Sequence, residues 1–278
     1  MSQPLEFSVI DEQEPDGEGN VVDVTTIFLT ASACPIGCTM CDLHHNMLAH
    51  RTPAGAITQQ IKSALASRRT SDSSTKRRWI KLYNSGNFFD PASIPTDEYH
   101  AIAELCQPFS RVIIENHPRF GASRLKTFRD LLSCPLEIAV GLETVQPRWL
   151  SRLGKQMTRD QFDQYARFLK DHDVDLRVFL IVGVPGISVN ESLRWARLSV
   201  RHALRQSARH ISLIPARAGH GWSGQSDRLP KLTLADLQRL QKSAIQDATA
   251  RNERVRNETY CTITIDTWNL DPANKSTS

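Results

Sequence analysis

Three cysteines near the amino terminus are the residues of this chain best suited to chemistry. Cys34, Cys38 and Cys41 stand at C-x3-C-x2-C spacing. They follow an apolar, β-branched run at 22–29 that predicts a strand, so the thiols are expected in the loop at its carboxyl end. Three thiolates can hold three irons of a cubane iron–sulfur cluster and leave the fourth iron without a protein ligand. An iron with an open position is a site for chemistry as well as for electron storage.

Two other interpretations of these cysteines are open from their spacing alone. A structural zinc site could combine the three thiolates with His44, His45 or His50 as the fourth ligand. The cysteines could also be ordinary small buried residues. The α/β pattern farther along the chain favours the cluster, because small zinc modules do not need such a scaffold.

Composition and charge are those of an ordinary soluble globular protein. The chain has 278 residues, of which 40% are hydrophobic and 23% are charged, and this length is enough for one full core. No apolar run approaches the roughly 18–20 residues that a membrane-spanning helix needs, so no membrane partner is expected. The net charge of +4 permits a polyanionic partner without requiring one.

The cysteine content and the amino terminus indicate the compartment. Six cysteines in a chain of this size do not make a disulfide scaffold, and Cys106, Cys134 and Cys261 are predicted to be reduced and buried. The acidic amino terminus lacks the basic segment and apolar core of a secretory signal. A cytoplasmic location is therefore expected.

The pattern of apolar segments predicts the fold and its limits. A flexible acidic leader is expected at 1–21, a single core domain with a carboxyl-terminal extension at 22–268, and a disordered tail at 269–278. Strands alternate with helices, and most of the strands are continuously apolar, as strands buried on both faces must be. The strands are predicted at 22–29, 79–83, 111–115, 136–142, 175–182 and 210–214, with a terminal strand at 260–265. The helices are predicted at 55–69, 96–107, 123–132, 158–170, 188–206 and 233–252.

This alternation favours an α/β fold, an open partial (β/α)6 barrel of mostly parallel strands with helices outside. A closed eight-stranded barrel is the alternative, but only six full β–α units can be counted. Capping boxes at 158–161 and 188–191 mark the starts of two of the helices.

Polar residues follow four consecutive predicted strands at the point where each strand ends. The thiols follow the first strand, Ser85-Gly86-Asn87 follow the second, Glu115 ends the third and Glu143 follows the fourth. In sheets of this kind ligands bind beyond the carboxyl ends of the strands. The sequence therefore predicts one composite site at that edge.

With these residues in view, the chain resembles the radical S-adenosylmethionine (SAM) superfamily over about 24–215. The resemblance implies that Cys34, Cys38 and Cys41 ligate a [4Fe-4S] cluster whose open iron is chelated by the amino and carboxylate groups of SAM. Met40 stands where the family commonly has an aromatic residue against adenine, and a thioether is a plausible substitute. The segments 183–186 and 214–217 would frame the adenine.

The resemblance also implies roles for the other residues at the strand ends. Ser85-Gly86-Asn87 matches the turn whose backbone oxygens hold the methionyl ammonium, although the glutamate of the family motif is missing. Glu115 and Glu143 match acids that accept hydrogen bonds from the ribose hydroxyls. Arg177 could pair with the SAM carboxylate, or it could be an ordinary charge at a strand edge.

Three segments, 84–91, 115–118 and 141–144, are most similar to the archaeosine-synthase and Elongator-like branch, whose members modify tRNA. A tRNA nucleoside is therefore the expected substrate class, by analogy. The loop at 216–230, with Arg217, His220 and Trp222, is the candidate substrate wall, where Trp222 either stacks on a base or anchors the loop. The basic segment 68–78 could contact phosphates, dock an acidic electron donor such as flavodoxin or ferredoxin, or be a solvated loop.

The expected activity is reductive cleavage of SAM to a 5′-deoxyadenosyl radical that abstracts hydrogen from a substrate. An iron–sulfur electron-transfer protein, or a SAM-binding protein without turnover, is the main alternative, and a structural zinc protein is a third. The two glutamates discriminate in part, because electron transfer alone has no use for ribose contacts.

Overall fold

The structure is a computed structural model that describes residues 8–41, 47–67, 78–84, 86–217, 221–255 and 260–267. Within these ranges the chain forms eight β-strands and seven α-helices. The strands are β1 (Ser8–Pro15), β2 (Val21–Leu29), β3 (Arg78–Asn84), β4 (Arg111–Glu115), β5 (Leu136–Glu143), β6 (Asp175–Val182), β7 (His210–Pro215) and β8 (Thr262–Ile265). The helices are α1 (Ala56–Ala66), α2 (Tyr99–Cys106), α3 (Ala122–Leu131), α4 (Pro147–Arg152), α5 (Arg159–Asp171), α6 (Val189–Arg205) and α7 (Leu234–Val255).

The strands form one sheet in the order β1 to β8, so every strand is next to its neighbour in sequence. β1 is antiparallel to β2, whereas β2 to β5 and β6 to β8 pair in parallel with their neighbours. A helix connects most successive parallel strands, as parallel pairing requires. The predicted α/β fold, an open and mostly parallel sheet of the partial-barrel type, is confirmed.

Strand β1 departs from the prediction of a flexible acidic leader. Residues 8–15 pair with β2 in a register that runs from Ser8 opposite Phe28 to Pro15 opposite Val21. The acidic side chains have partners, since Glu12 accepts hydrogen bonds from Thr26 Oγ1 at 2.6 Å and from Lys81 Nζ at 2.7 Å. The prediction was wrong for 8–15 because carboxylates that suggest a solvated segment accept hydrogen bonds from threonines of β2 and pair with Lys81 of β3. Residues 1–7 and the predicted tail at 269–278 lie outside the described residues.

The chain divides into two compact units. The first comprises Met1–Gly37, Leu43–Val140 and Phe168–Asp175, and the second comprises Cys38–Asp42, Gly141–Arg167 and Leu176–Ser278. No change in composition along the chain predicts this division, and the single core domain expected at 22–268 stays a prediction.

In the first unit an aromatic cluster joins the segment that follows β3 to helices α2 and α3. Phe88, Phe89, Tyr99 and Phe128 are all buried, with the ring centroids of Phe88 and Phe128 4.9 Å apart. Helix α1 begins without a cap of its own, and the Glu98 carboxylate accepts hydrogen bonds from backbone N–H groups of its first turn instead. Such contacts hold the loop after β3 against the helical layer.

Charged residues are buried within strands that the sequence suggests are apolar. Glu137 in β5 is fully buried and pairs with Arg111 at 3.2 Å, and Lys81 in β3 lies between Glu12 and Glu14. Glu137 and Lys81 thus each have an opposite charge as partner, which is the condition under which burial of a charge is tolerated.

In the second unit the helix starts follow the predicted capping signals. Thr158 and Gln161 exchange hydrogen bonds of 2.8 and 3.2 Å at the start of α5, and Ser188 Oγ accepts from Glu191 N–H at 3.2 Å at the start of α6.

Asp247 of α7 accepts paired hydrogen bonds from both Arg197 and Arg201 of α6.

Two helix predictions and one cysteine prediction need correction. The helix predicted at 96–107 begins instead with a 3-10 turn, Thr96–Glu98, and α2 follows this turn. Helix α4 was not predicted, because six residues are too few to show a helical period. Of the three remaining free cysteines only Cys106 is buried, whereas Cys134 and Cys261 are half-buried.

None of the helices in the described part of the chain combines the length and the apolar character that spanning a bilayer requires.

Candidate functional site

The loop that carries the cysteines leaves the carboxyl end of β2, as predicted. In the first unit its base is closed by backbone hydrogen bonds, since Ala33 N–H donates to Leu48 O at 3.0 Å and Leu48 N–H donates to Ala31 O at 2.9 Å. Cys34, Cys38 and Cys41 are free thiols that are partly exposed. His44 and His45, considered as zinc ligands, lie outside the described residues, and His50 is exposed.

Asn87 connects the first cysteine to the end of a neighbouring strand. Its Nδ2 donates to Cys34 Sγ at 3.3 Å, and its Oδ1 accepts from the backbone N–H of His117 at 2.9 Å. Asn87 is only 4% exposed, so water does not compete for these bonds. The loop after β3 is tied to β4 a second time, because Phe88 N–H donates to Glu115 O at 3.1 Å.

Gly86 packs its backbone against the cysteine loop. A Cβ on this residue would lie 2.8 Å from Ser93 Oγ and 3.0 Å from the backbone oxygen of Ser32, so a larger residue does not fit without a shift. Ser85 of the predicted turn lies outside the described residues. Glu115 is half-buried at the end of β4, where the sequence places it.

Cys38 and Cys41 share a turn that belongs to the second unit, with Cys41 N–H donating to Cys38 O at 3.1 Å. The turn is anchored because Thr39 N–H donates to Leu153 O at 2.9 Å and Trp222 N–H donates to Thr39 O. Gly221 comes so close to this turn that a Cβ there would collide with the Thr39 carbonyl.

Met40 packs on a small apolar cluster in which Leu153, Val184 and Trp222 are buried. The sequence predicts that Met40 contacts the adenine of SAM. The thioether therefore has an apolar surface beneath it in the structure, and the adenine contact stays a prediction.

Trp222 anchors its loop. The ring is buried, and its Nε1 donates to Arg217 O at 3.0 Å. Arg217 pairs with Asp266 at 2.8 Å. Of the two roles considered for Trp222, the structure supports the loop anchor. His220 lies outside the described residues.

Glu143, at the end of β5, is paired with Lys155, a residue that sequence reasoning missed. Glu143 adopts a left-handed backbone conformation with φ 64°, which is uncommon for a residue with a side chain. Its carboxylate forms an ion pair with Lys155, and the two side chains are 8% and 11% exposed. Gly141 leaves room for this pair, because a Cβ there would collide with both charged groups. A single lysine in a loop shows no periodic pattern, so no sequence signal identified it.

Arg177 lies elsewhere in the second unit. It is the third residue of β6 and is 1% exposed, opposite His210 of β7. The carboxyl end of β6 is five residues farther on, which is about 17 Å along a strand. Arg177 is therefore a buried residue near the amino end of β6, and its pairing with the SAM carboxylate stays a prediction.

A cavity of about 650 Å³ lies in the second unit beside the segment that follows β5. Its walls are both apolar and polar, with Val145, Leu150, Met157, Arg159 and Gln161 among the lining residues. A volume of this size suits a small organic ligand.

The described residues hold no group of three or more His, Cys, Asp or Glu side chains placed to bind a metal ion. The donor set nevertheless has the chemistry that an iron–sulfur cluster requires. None of the three thiols is in a disulfide, all three are partly exposed, and Cys34 accepts a hydrogen bond from an N–H donor. Burial raises the pKa of the Cys106 thiol, which disfavours the thiolate form that a metal ligand requires.

Comparisons with known proteins show the class of fold. No model of a known protein family matches the chain. One curated relative, an uncharacterized protein of Methanocaldococcus jannaschii, is 23% identical over 205 residues, which are 70% of this chain and 56% of that protein. The chain thus spans little more than half the length of this relative.

Three solved structures share the fold, although their sequence identities are low. SuiB of Streptococcus suis, bound to SAM, superposes with a TM-score of 0.61 at 13% identity, over 89% of this chain and 50% of SuiB. A radical SAM methyltransferase from Sphaerobacter thermophilus gives 0.60 at 15%, over 93% and 76% of the two chains. Methylornithine synthase (PylB) gives 0.57 at 13%, over 91% and 75%. The chain therefore has the fold of these three structures, one of which is a radical SAM methyltransferase.

Proposed function

We propose that this chain is a radical SAM enzyme that holds a [4Fe-4S] cluster on Cys34, Cys38 and Cys41 and binds SAM beside it. The observation that carries the proposal is a C-x3-C-x2-C set of free thiols leaving the carboxyl end of β2, in a fold shared with radical SAM enzymes. When bound, the cluster and SAM supply one-electron cleavage of the sulfonium, which yields methionine and a 5′-deoxyadenosyl radical.

The protein's own residues bind and orient the cofactor. The backbone of the turn at 85–87 accepts from the methionyl ammonium, and the absence of a Cβ on Gly86 lets that backbone lie against the cysteine loop. Glu115 and Glu143 accept from the ribose hydroxyls, and Lys155 holds the Glu143 carboxylate in place by pairing with it. Met40 packs against the apolar residues around Trp222 and offers an apolar surface to the adenine.

The substrate class and the partners are proposed from the sequence. The segments 84–91, 115–118 and 141–144 favour a tRNA-modifying branch, with a tRNA nucleoside as substrate. Flavodoxin or ferredoxin would supply the electron in a reducing, cytoplasmic compartment, since the thiols must stay reduced. The basic segment considered for either contact lies, apart from Arg78, outside the described residues.

Anaerobic reconstitution with iron and sulfide tests the proposal. We expect about four irons per chain, as a cubane requires, and 5′-deoxyadenosine after addition of dithionite and SAM. Cys34→Ala, Cys38→Ala and Cys41→Ala should each lose the cluster, whereas Cys106→Ala, the matched control at a buried thiol, should keep it. Stoichiometric zinc in place of iron would support a structural zinc protein. A cluster with bound SAM but no 5′-deoxyadenosine under any reductant would support a binding or electron-transfer protein.

A further inference from the structure

Asn87 stands where the resemblance to radical SAM enzymes leads one to expect a glutamate, and its side chain has a defined pair of partners. The backbone N–H of His117 can only donate, so the Asn87 atom 2.9 Å from it must be the acceptor oxygen Oδ1. The amide NH2 is then directed at Cys34 Sγ, 3.3 Å away. The direction of the N–H···S hydrogen bond therefore follows from a neighbouring backbone group.

We propose that Asn87 is a positioning residue that fixes Cys34 and raises the reduction potential of the cluster bound there. The inference rests on the proposed function, since it requires an iron–sulfur cluster on Cys34. Hydrogen bonds to the sulfur ligands are among the factors that set the potential of such clusters. One-electron reduction adds negative charge, and an N–H donor stabilises the more negative state.

The burial of Asn87 strengthens the effect of its hydrogen bond on the Cys34 sulfur. Asn87 is buried, so its amide is held by protein groups and is screened little by solvent. Its other bond reaches His117, at the start of the segment after β4, while Cys34 follows β2. The side chain thus holds the cysteine against the ends of two strands of the first unit. An aspartate at this position would keep the acceptor for His117 but would direct a carboxylate oxygen at the sulfur.

The test compares Asn87→Asp with Asn84→Asp. Asn84 is equally buried at the end of β3, and its Nδ2 donates to Ser93 Oγ at 2.8 Å. A carboxylate there can accept from the serine hydroxyl, so this variant adds the same charge three residues away without removing the hydrogen bond to Cys34. Spectroelectrochemical titration should show that the midpoint potential of Asn87→Asp is more negative than that of the wild type by about 59 mV. For one electron, this shift corresponds to a roughly tenfold change in the equilibrium constant for reduction. Asn84→Asp should shift by a small fraction of that.

A second readout uses the protein without its cluster. Amide hydrogen exchange at His117 should stay slow in Asn87→Asp, which keeps the acceptor, and should be roughly tenfold faster in Asn87→Ala. Thermal unfolding checks that each variant is folded. Loss of the cluster from Asn87→Asp but not from Asn84→Asp also supports the assignment.

Two results would overturn the inference, and they are distinguishable. If wild-type protein takes up a cluster and cleaves SAM, but the two aspartate variants shift equally, Asn87 has no special role and the proposed function stands. If wild-type protein takes up no cluster under reconstitution, the proposed function and this inference fail together.

Discussion

Lys155 neutralises Glu143 at the carboxyl end of β5, and the two side chains are almost completely withdrawn from solvent. The partners are twelve positions apart in the sequence, and Glu143 has a left-handed backbone conformation. A ribose that binds Glu143 would therefore meet a carboxylate whose charge is already balanced. The pair orients the acid before a ligand arrives, which reduces the ordering that binding must accomplish.

The first prediction concerns the cost of breaking this pair. Lys155→Met should leave Glu143 as an uncompensated buried charge and lower the free energy of unfolding by about 3–5 kcal/mol. Urea denaturation at pH 7 measures this. Lys126→Met is the matched control, because Lys126 pairs with Asp130 at 2.9 Å on an exposed helix face and should cost less than about 0.5 kcal/mol. Equal effects of the two substitutions would show that the Lys155 pair contributes no more than a surface pair.

The second prediction is a pH dependence at the contact between α6 and α7. Hydrogen bonds from Arg197 and then Arg201 lower the pKa of Asp247 to about 2. Because the folded pKa is depressed, the contribution to stability is fully present above the ordinary carboxyl pKa of roughly 4 and is lost as the pH falls toward 2. Asp247→Asn should therefore destabilise the protein at pH 7 by about 1–2 kcal/mol, a value reduced for screening of the partly exposed arginines.

Denaturation of wild type and Asp247→Asn at pH 7 and pH 3 checks this expectation. The difference in unfolding free energy between the two proteins should shrink at pH 3 relative to pH 7. A difference that stayed constant with pH would mean that packing, rather than charge, is responsible.

How well the sequence predicted the molecule depended on how local each signal was. Strands β4 and β6 occupy the residues predicted, and the capping boxes that begin α5 and α6 are confirmed by their hydrogen bonds. Apolar runs and caps depend on residues within a few positions of each other, so they can be identified without knowing the fold.

Features that depend on distant partners were not predictable in the same way. The acidic strand β1 is stabilised by Lys81, 69 residues from Glu12, and the carboxylates alone suggested a solvated leader. The Glu143 pair and the Asn87–Cys34 hydrogen bond likewise join residues that only the fold brings together. Of the candidate site, the sequence predicted which strand ends carry polar residues, but it did not predict the partners of those residues.

The last prediction concerns Gly86. Its φ is not in the left-handed region, so the need for glycine is steric, with a Cβ 2.8 Å from Ser93 Oγ and 3.0 Å from Ser32 O. The hydroxyl could rotate away, but the Ser32 carbonyl belongs to the cysteine loop and can move only with it. Gly86→Ala should therefore displace the turn, lower stability by about 1–3 kcal/mol and weaken SAM binding more than tenfold.

Isothermal titration with SAM, beside urea denaturation, measures both effects of Gly86→Ala. Gly55→Ala is the control, because its φ of 76° strains any side chain but no atom lies within 4 Å of the added Cβ. That variant should lose about 1 kcal/mol of stability and keep its affinity for SAM. If Gly86→Ala lost stability but bound SAM as tightly as Gly55→Ala, the turn after β3 would be a structural element of the first unit and not part of the SAM site.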